Sequence, residues 1–309
     1  MTSGLQRRCS VSLNSQPSTL NFPKRFRIPS GMPLVHALFG GWSALVMLFL
    51  YAPIVLLIVY SFNKADYGVS WQGFTLDWYR KMLADTVLMS ALKNSVIIAL
   101  ISTVFSLALG VTGAWLLYRY KFPALRWLNT LIFIPMAVPE ILMGVSLLVL
   151  FRIVIGWLNG LQEMASAPEW FASLDIGTGY TTVILAHVTF CFPFVLIAVQ
   201  ARLSGVDPCL EEAAMDLGAP PLTAFFKVMV PYMMPAIISG ALMAFALSLD
   251  EIIISIFVYG PDAQPLPVVM YGRAKKGLDP SLNAVSAIFI LATVVLVLIS
   301  ETVKRRHRV

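Results

Sequence analysis

Apolar residues gather in six long stretches, Ala37–Phe62, Asn94–Tyr118, Trp127–Phe151, Tyr180–Ala201, Met233–Val258 and Ser281–Ser300. A membrane-crossing helix needs about 20 mostly apolar residues, so each stretch predicts one span. Helices are the natural spanning form because every backbone group is paired within the segment. The strands of a membrane barrel would read as short alternating runs, and these runs are too long for that. The connection Arg119–Arg126 is short and basic, whereas Gly156–Gly179 and Tyr259–Pro280 are longer. Within the last of these, Leu266–Lys276 reads as a short surface helix bracketed by the turn signals Gly260-Pro261 and Asp279-Pro280. Asn63–Lys93 carries Trp71, Trp78 and Tyr79, which at this level suit the aromatic belt of the membrane interface.

Composition agrees with the pattern. Of the 309 residues, 58% are hydrophobic and 12% charged, against about 25% charged in soluble domains; mean hydropathy is +0.80. The net charge of +6 does not point to nucleic acid, because the cations sit at the membrane flanks, where they set orientation and meet anionic lipid. They include Arg7, Arg8, Lys24, Arg25 and Arg27 before the first span, and Arg119, Lys121 and Arg126 after the second. Arg202 and Lys227 lie between spans four and five, and Lys304, Arg305, Arg306 and Arg308 in the tail. This bias predicts that both termini and the 202–227 connection are cytoplasmic, with the two longer connections outside. Residues 1–33 are polar, basic and rich in Ser and Pro; they are expected to be a disordered cytoplasmic segment. One six-helix membrane domain is expected over 34–303, followed by a basic tail, 304–309. Cys9, Cys191 and Cys209 share no metal or redox spacing, and no disulfide is expected among them.

Neither a phosphate-binding Gly-x-x-x-x-Gly-Lys-[Ser/Thr] run, a recognisable Ser/His/Asp set nor a metal-spaced His/Cys cluster is present. The chain is therefore read as no enzyme, with no cofactor and no metal. Gly205–Val228 has the logic of two short helices. Asp207 can cap a helix opened by Pro208, with Glu211 and Glu212 in its first turns where the helix dipole favours acids. Gly218 and Pro220-Pro221 end that helix, and Leu222–Val228 forms a second. Such a pair makes a compact knob that a groove on another protein can grip.

Glu140, Asp250 and Glu251 lie within apolar runs. Ionisable residues there are costly and usually face a cavity or a partner, the alternative being helix-end residues at the outer interface. Glu140 follows Pro135 and Pro139, each of which removes a helical hydrogen bond; a broken helix beside an acid suits a cavity wall. Asp250 lies roughly 25 Å along span five, in its outer half. Glu251 points about 100° away from it around a helix. His187, alone in span four, is read as a hydrogen-bonded packing residue.

Glu212-Ala213-Ala214, three residues, Gly218, nine residues, Val228, one residue, then Val230-Pro231 resembles the EAA loop of ABC-importer membrane subunits, with Val228 and Val230 in place of the usual Ile and Leu. Leu185–Pro193, Glu211–Gly218, Pro235–Gly240, Leu247–Glu251, Trp71–Phe74 and Pro139–Leu148 look like the permeases of polyamine (putrescine/spermidine) importers. The likeness covers nearly all of Ala37–Ser300; members often carry two aspartates where Asp250-Glu251 stands.

The resemblance implies an all-α, multi-pass protein of the bacterial inner membrane with six transmembrane helices and the type I importer permease fold. It implies that polyamines move from periplasm to cytoplasm along a pathway lined by Glu140, Asp250 and Glu251. The coupling loop would span 205–231, with Glu212, Ala213, Ala214, Asp216 and Gly218 meeting the ATPase; Glu212 would contact a basic residue there and Gly218 would supply the bend. The expected partners are two copies of an ATP-binding subunit, a second similar permease forming a heterodimer, and a periplasmic polyamine-binding protein. Alternatives are a permease for another small organic cation, or a self-sufficient secondary carrier using Glu140 and Asp250 as ion sites.

Overall fold

A computed structural model describes residues 33–65, 70–120, 123–163, 168, 177–207, 209–277 and 280–306. The expectations for 1–32 and for the cap residue Pro208 fall outside them. The described chain is almost wholly helical. Helix α1 (Pro33–Tyr60) leads to α2 (Asp77–Ala84) and α3 (Thr86–Arg119), then α4 (Pro123–Ala137), α5 (Glu140–Gln162) and α6 (Tyr180–Leu203). Next come α7 (Cys209–Asp216), α8 (Pro221–Ala224), α9 (Val230–Asp250), α10 (Ile253–Val258), α11 (Leu266–Lys276) and α12 (Pro280–Arg306). Among the described residues, five helical stretches are long and apolar enough to cross a membrane: Leu38–Tyr60, Thr86–Arg119, Glu140–Gln162, Tyr180–Leu203 and Pro221–Asp250; Pro280–Val295 is a shorter apolar helix.

The run expected as one span, Trp127–Phe151, is two helices. Val138 precedes Pro139, and a residue before proline is disfavoured in the α conformation, so α4 stops at Ala137 and α5 starts at Glu140. Pro135 sits inside α4 without ending it. Helix α5 then continues to Gln162, into what reads in the sequence as an outer loop. The fifth run, Met233–Val258, is also divided, at Glu251–Ile252. Helix α3 starts well before the expected Asn94, because Asp85 accepts hydrogen bonds from the N–H groups of Val87 and Leu88 and caps the helix there. The surface helix expected at Leu266–Lys276 is α11, with the same bounds.

The core lies where α3, α6 and α9 cross. Val183, Ala186, Cys191, Val195 and Val199 of α6 are fully buried, against Ile98 and Ala114 of α3 and Ala244 of α9. Gly110 of α3 permits this approach: a Cβ there would stand 2.7 Å from Val195 Cγ1. Small residues that let backbones close up are the usual means of joining helices in lipid, where the hydrophobic effect gives no drive. Helix α1, by contrast, exposes Leu38, Phe39, Trp42, Phe49 and Leu56, as a helix facing lipid or a partner does.

The aromatic segment after α1 folds on itself. Trp78 is buried and its Nε1–H donates to the Asn63 carbonyl at 2.7 Å. Phe62 stacks on Phe74 at 5.3 Å between centroids, and the hydroxyls of Tyr79 and Ser61 are 2.7 Å apart. Trp71 alone of the three aromatics expected in the belt is exposed.

Candidate functional site

Two regions carry the sequence-marked residues. The first is the loop between α6 and α9. Asp207 Oδ1 accepts from the Cys209 N–H at 3.0 Å and opens α7. Glu211 and Glu212 follow in its first turn. At the other end Gly218 takes φ +88°, a left-handed conformation that glycine adopts without a Cβ clash. The Ala219 N–H then reaches the Ala214 carbonyl at 3.1 Å and the Gly218 N–H the Met215 carbonyl at 2.9 Å, the paired closure of a Schellman motif. Gly218 is therefore the bend that the sequence suggests. The second short helix, however, does not end at Val228. Helix α8 passes into a π-helical turn, Phe225–Met229, and on into α9 without a break. Single π turns concentrate at functional sites, and this one joins the loop to a span without a break.

On the surface of the loop, Ala213 and Asp216 are exposed and Glu212 and Ala214 partly so. Around them stand apolar side chains the sequence reading passed over: Leu217 is 90% exposed, Leu222 72% and Phe226 63%. Their signal was present as large apolar residues inside a polar connection. Large exposed apolar side chains grouped among polar ones mark a contact surface. Glu211 is instead buried, and Arg119 at the end of α3 lies 3.9 Å from it and 3.8 Å from Glu212. The sulfur of Cys191 is free and buried.

The second region is a cavity of about 650 Å³. It brings together Glu140 at the start of α5, Asp250 at the end of α9 and Glu251 in the break before α10. Ile54 of α1, Phe190 of α6 and Phe289, Ile290 and Thr293 of α12 complete much of the wall. The three acids that the sequence singles out thus share one space, although Glu140 is far from the others along the chain. Pro139 places Glu140 at the first position of α5. Glu251 is held by the break itself: its Oε1 accepts from the Ile254 N–H at 2.8 Å, and the Ser255 hydroxyl donates to its carbonyl at 2.8 Å.

That break is braced by a buried polar chain. His187 contacts Ser248 Oγ through Nδ1 at 2.7 Å and Ser255 Oγ through Nε2 at 2.9 Å. Ser248 meets Ser102 at 2.9 Å. Because Ser255 gives its proton to the Glu251 carbonyl, it must accept from His187 Nε2–H, and Nδ1 then accepts from Ser248. His187 is the hydrogen-bonded packing residue the sequence suggests. It lies behind the cavity wall and not among its lining residues.

Comparison with known proteins agrees with the loop and the fold. The family described as "Binding-protein-dependent transport system inner membrane component" matches residues 106–307. The chain is 36% identical over 266 residues to the spermidine/putrescine transport system permease protein PotC of Escherichia coli (strain K12), covering 86% of this chain and 93% of that one. It is 37% identical over 266 residues to the putrescine transport system permease protein PotI of the same strain, covering 84% and 89%. Among solved structures, a bacterial ABC transporter involved in the import of the acidic polysaccharide alginate superposes with TM-score 0.64 at 16% identity, over 90% of this chain and 98% of that one. The MetNI methionine ABC transporter, in an inward-facing conformation, gives 0.57 at 16% identity, over 73% and 97%. At such identities the likeness establishes the importer-permease fold alone. With the loop spacing, the matched family and two relatives aligned over most of their length, the chain belongs to the binding-protein-dependent transport system inner membrane components, as a permease subunit of an ABC importer.

Proposed function

We propose that this permease passes polyamines, putrescine or spermidine, from periplasm to cytoplasm, using Glu140, Asp250 and Glu251 as its cationic pathway. The observation that carries this reading is the shared cavity of those three acids. A carboxylate within the membrane is costly unless something of opposite charge meets it. An ammonium group entering the cavity loses hydration, and a carboxylate offsets part of that cost. An amine with two or more ammoniums separated by methylenes suits acids set among Ile54, Phe190 and Phe289. The fold does not supply this assignment, since the alginate importer has a similar fold and handles a polyanion. The names of the relatives PotC and PotI point the same way as the acids. Another small organic cation is the second reading, and the cavity alone fits it equally. A self-sufficient carrier is set aside by membership of a binding-protein-dependent family.

The assembly we propose pairs this chain with a second, similar permease in a heterodimer. Two ATPase copies dock from the cytoplasm, one of them at the 205–231 loop, and a periplasmic binding protein delivers the amine. Both termini and the loop then lie in the cytoplasm. The apolar rim of Leu217, Leu222 and Phe226 around Glu212, Ala213, Ala214, Asp216 and Gly218 supports the docking role.

The test is uptake of radiolabelled putrescine in cells lacking other polyamine importers and expressing the full transporter. Uptake should require this chain and be competed by spermidine but not by a neutral diol of equal length. Equal competition by the diol would remove the cationic pathway.

A further inference from the structure

The last turn of α3 presents Trp115, Tyr118 and Arg119 at spacings that share one helix face. Trp115 and Arg119 meet the motif loop. The Trp115 ring packs on Phe225 of the π-helical turn at 4.8 Å between centroids. Arg119 Nε is 3.9 Å from Glu211 Oε1 and its Nη1 is 3.8 Å from Glu212 Oε1. The Glu211 side chain is 4% exposed. Its Oε2, like the buried Tyr118 hydroxyl, has no hydrogen-bond partner among the described residues. A buried carboxylate held only by a long ion pair is a stressed arrangement. Charge-assisted bonds of this type close to about 2.7–2.9 Å when fully made, so the clasp has room to tighten by about 1 Å.

The opposite end of α3 is fastened as well. Arg273 of α11 donates to Asp85 at 2.6 Å. Asn94 Nδ2 donates to the Asp262 and Gln264 carbonyls, and Ser95 Oγ accepts from the Leu266 N–H. Helix α3 is thus a strut of about 50 Å between the motif loop and the 260–276 segment at the far side.

We propose that Arg119 is the residue through which α7 acts on α3, so that ATPase movement at the loop reaches the far end of the molecule along this helix as well as through α9. The proposal rests on the docking role given to the loop above. Arg119 is a positioning residue, not a substrate contact.

The experiment uses the complete transporter with its ATPase and binding protein in liposomes, with putrescine uptake and ATP hydrolysis measured on the same sample. Arg119→Ala should leave the ATPase subunit bound and hydrolysing within about twofold of the parent, while ATP consumed per amine rises at least about fivefold, the low end of ordinary coupling between sites. Arg119→Lys should fall between, because a single ammonium cannot span both carboxylates as the guanidinium fork does. Arg202→Ala, whose guanidinium lies over Tyr232, should leave the ratio unchanged. An unchanged ratio in Arg119→Ala, or loss of the ATPase subunit from the complex, would overturn the proposal. Should Arg119→Ala fail to assemble at all, Glu211→Gln decides: a raised ratio supports the clasp and a normal one overturns it. A parent transporter that carries no putrescine would refute the function proposed above, a result separate from either outcome for Arg119.

Discussion

Glu251 does two things with one carboxyl group. Its Oε1 caps α10 through the Ile254 N–H, and the side chain also lines the cavity. From the sequence it was legible as an acid in an apolar run, but not as a cap. His187 was legible as a packing residue, whereas its partners Ser248 and Ser255, and Ser102 beyond Ser248, were not. They lie on three other helices, and serine in a span has many innocent uses. Arg119 read only as a flanking cation, since its contact with Glu211 depends on how two helices end in space. Asp85 gives a prediction at this scale. The Arg273 guanidinium beside it holds its carboxyl below the ordinary value of 3.8. A carboxyl whose folded value is depressed contributes stability in full above its unfolded value, and loses it as pH falls through the folded value. Asp85→Asn should therefore lower the melting temperature of the detergent-purified protein at pH 7, at a cost of about 1 kcal/mol for a partly exposed pair. The difference from the parent should shrink as pH falls below 3.8. A difference that holds constant down to acid pH would exclude the ion pair as its cause.

The helices were legible to differing degrees. Helix α6 begins at Tyr180 as its apolar run does, and α11 kept its expected bounds. The break at Pro139 follows from proline chemistry. The break at Glu251 does not, because neither proline nor glycine stands there. It persists because the Glu251 carboxylate, Ser255 and His187 satisfy groups that a broken helix leaves unpaired. The π-helical turn at Phe225–Met229 has no local sequence signal; Phe225 within it packs against Trp115 of α3, a tertiary contact. The sidedness of the connections is testable directly. In a cysteine-free background, a membrane-impermeant thiol reagent added outside should label cysteines at Gly160 and Asp262 and spare one at Ala124. The reverse labelling would invert the orientation and remove the docking reading of α7.

For the whole molecule, the six apolar runs and one loop motif sufficed for fold and family, since bilayer thickness and backbone pairing leave few alternatives. That the three acids share a cavity was not readable from those runs. Glu140 meets Asp250 and Glu251 only because α5, α9 and α10 converge beside α1 and α12. Arrangement of this kind is tertiary, and nothing in local periodicity encodes it. The central question is whether that convergence carries cations. The most direct measurement is the initial rate of radiolabelled putrescine uptake by the Asp250→Asn/Glu140→Gln double variant, with membrane abundance and ATPase association matched to the parent. The account predicts a loss of at least about tenfold, roughly 1.4 kcal/mol or more of lost attraction in the pathway. Full-rate uptake by the double variant would contradict it.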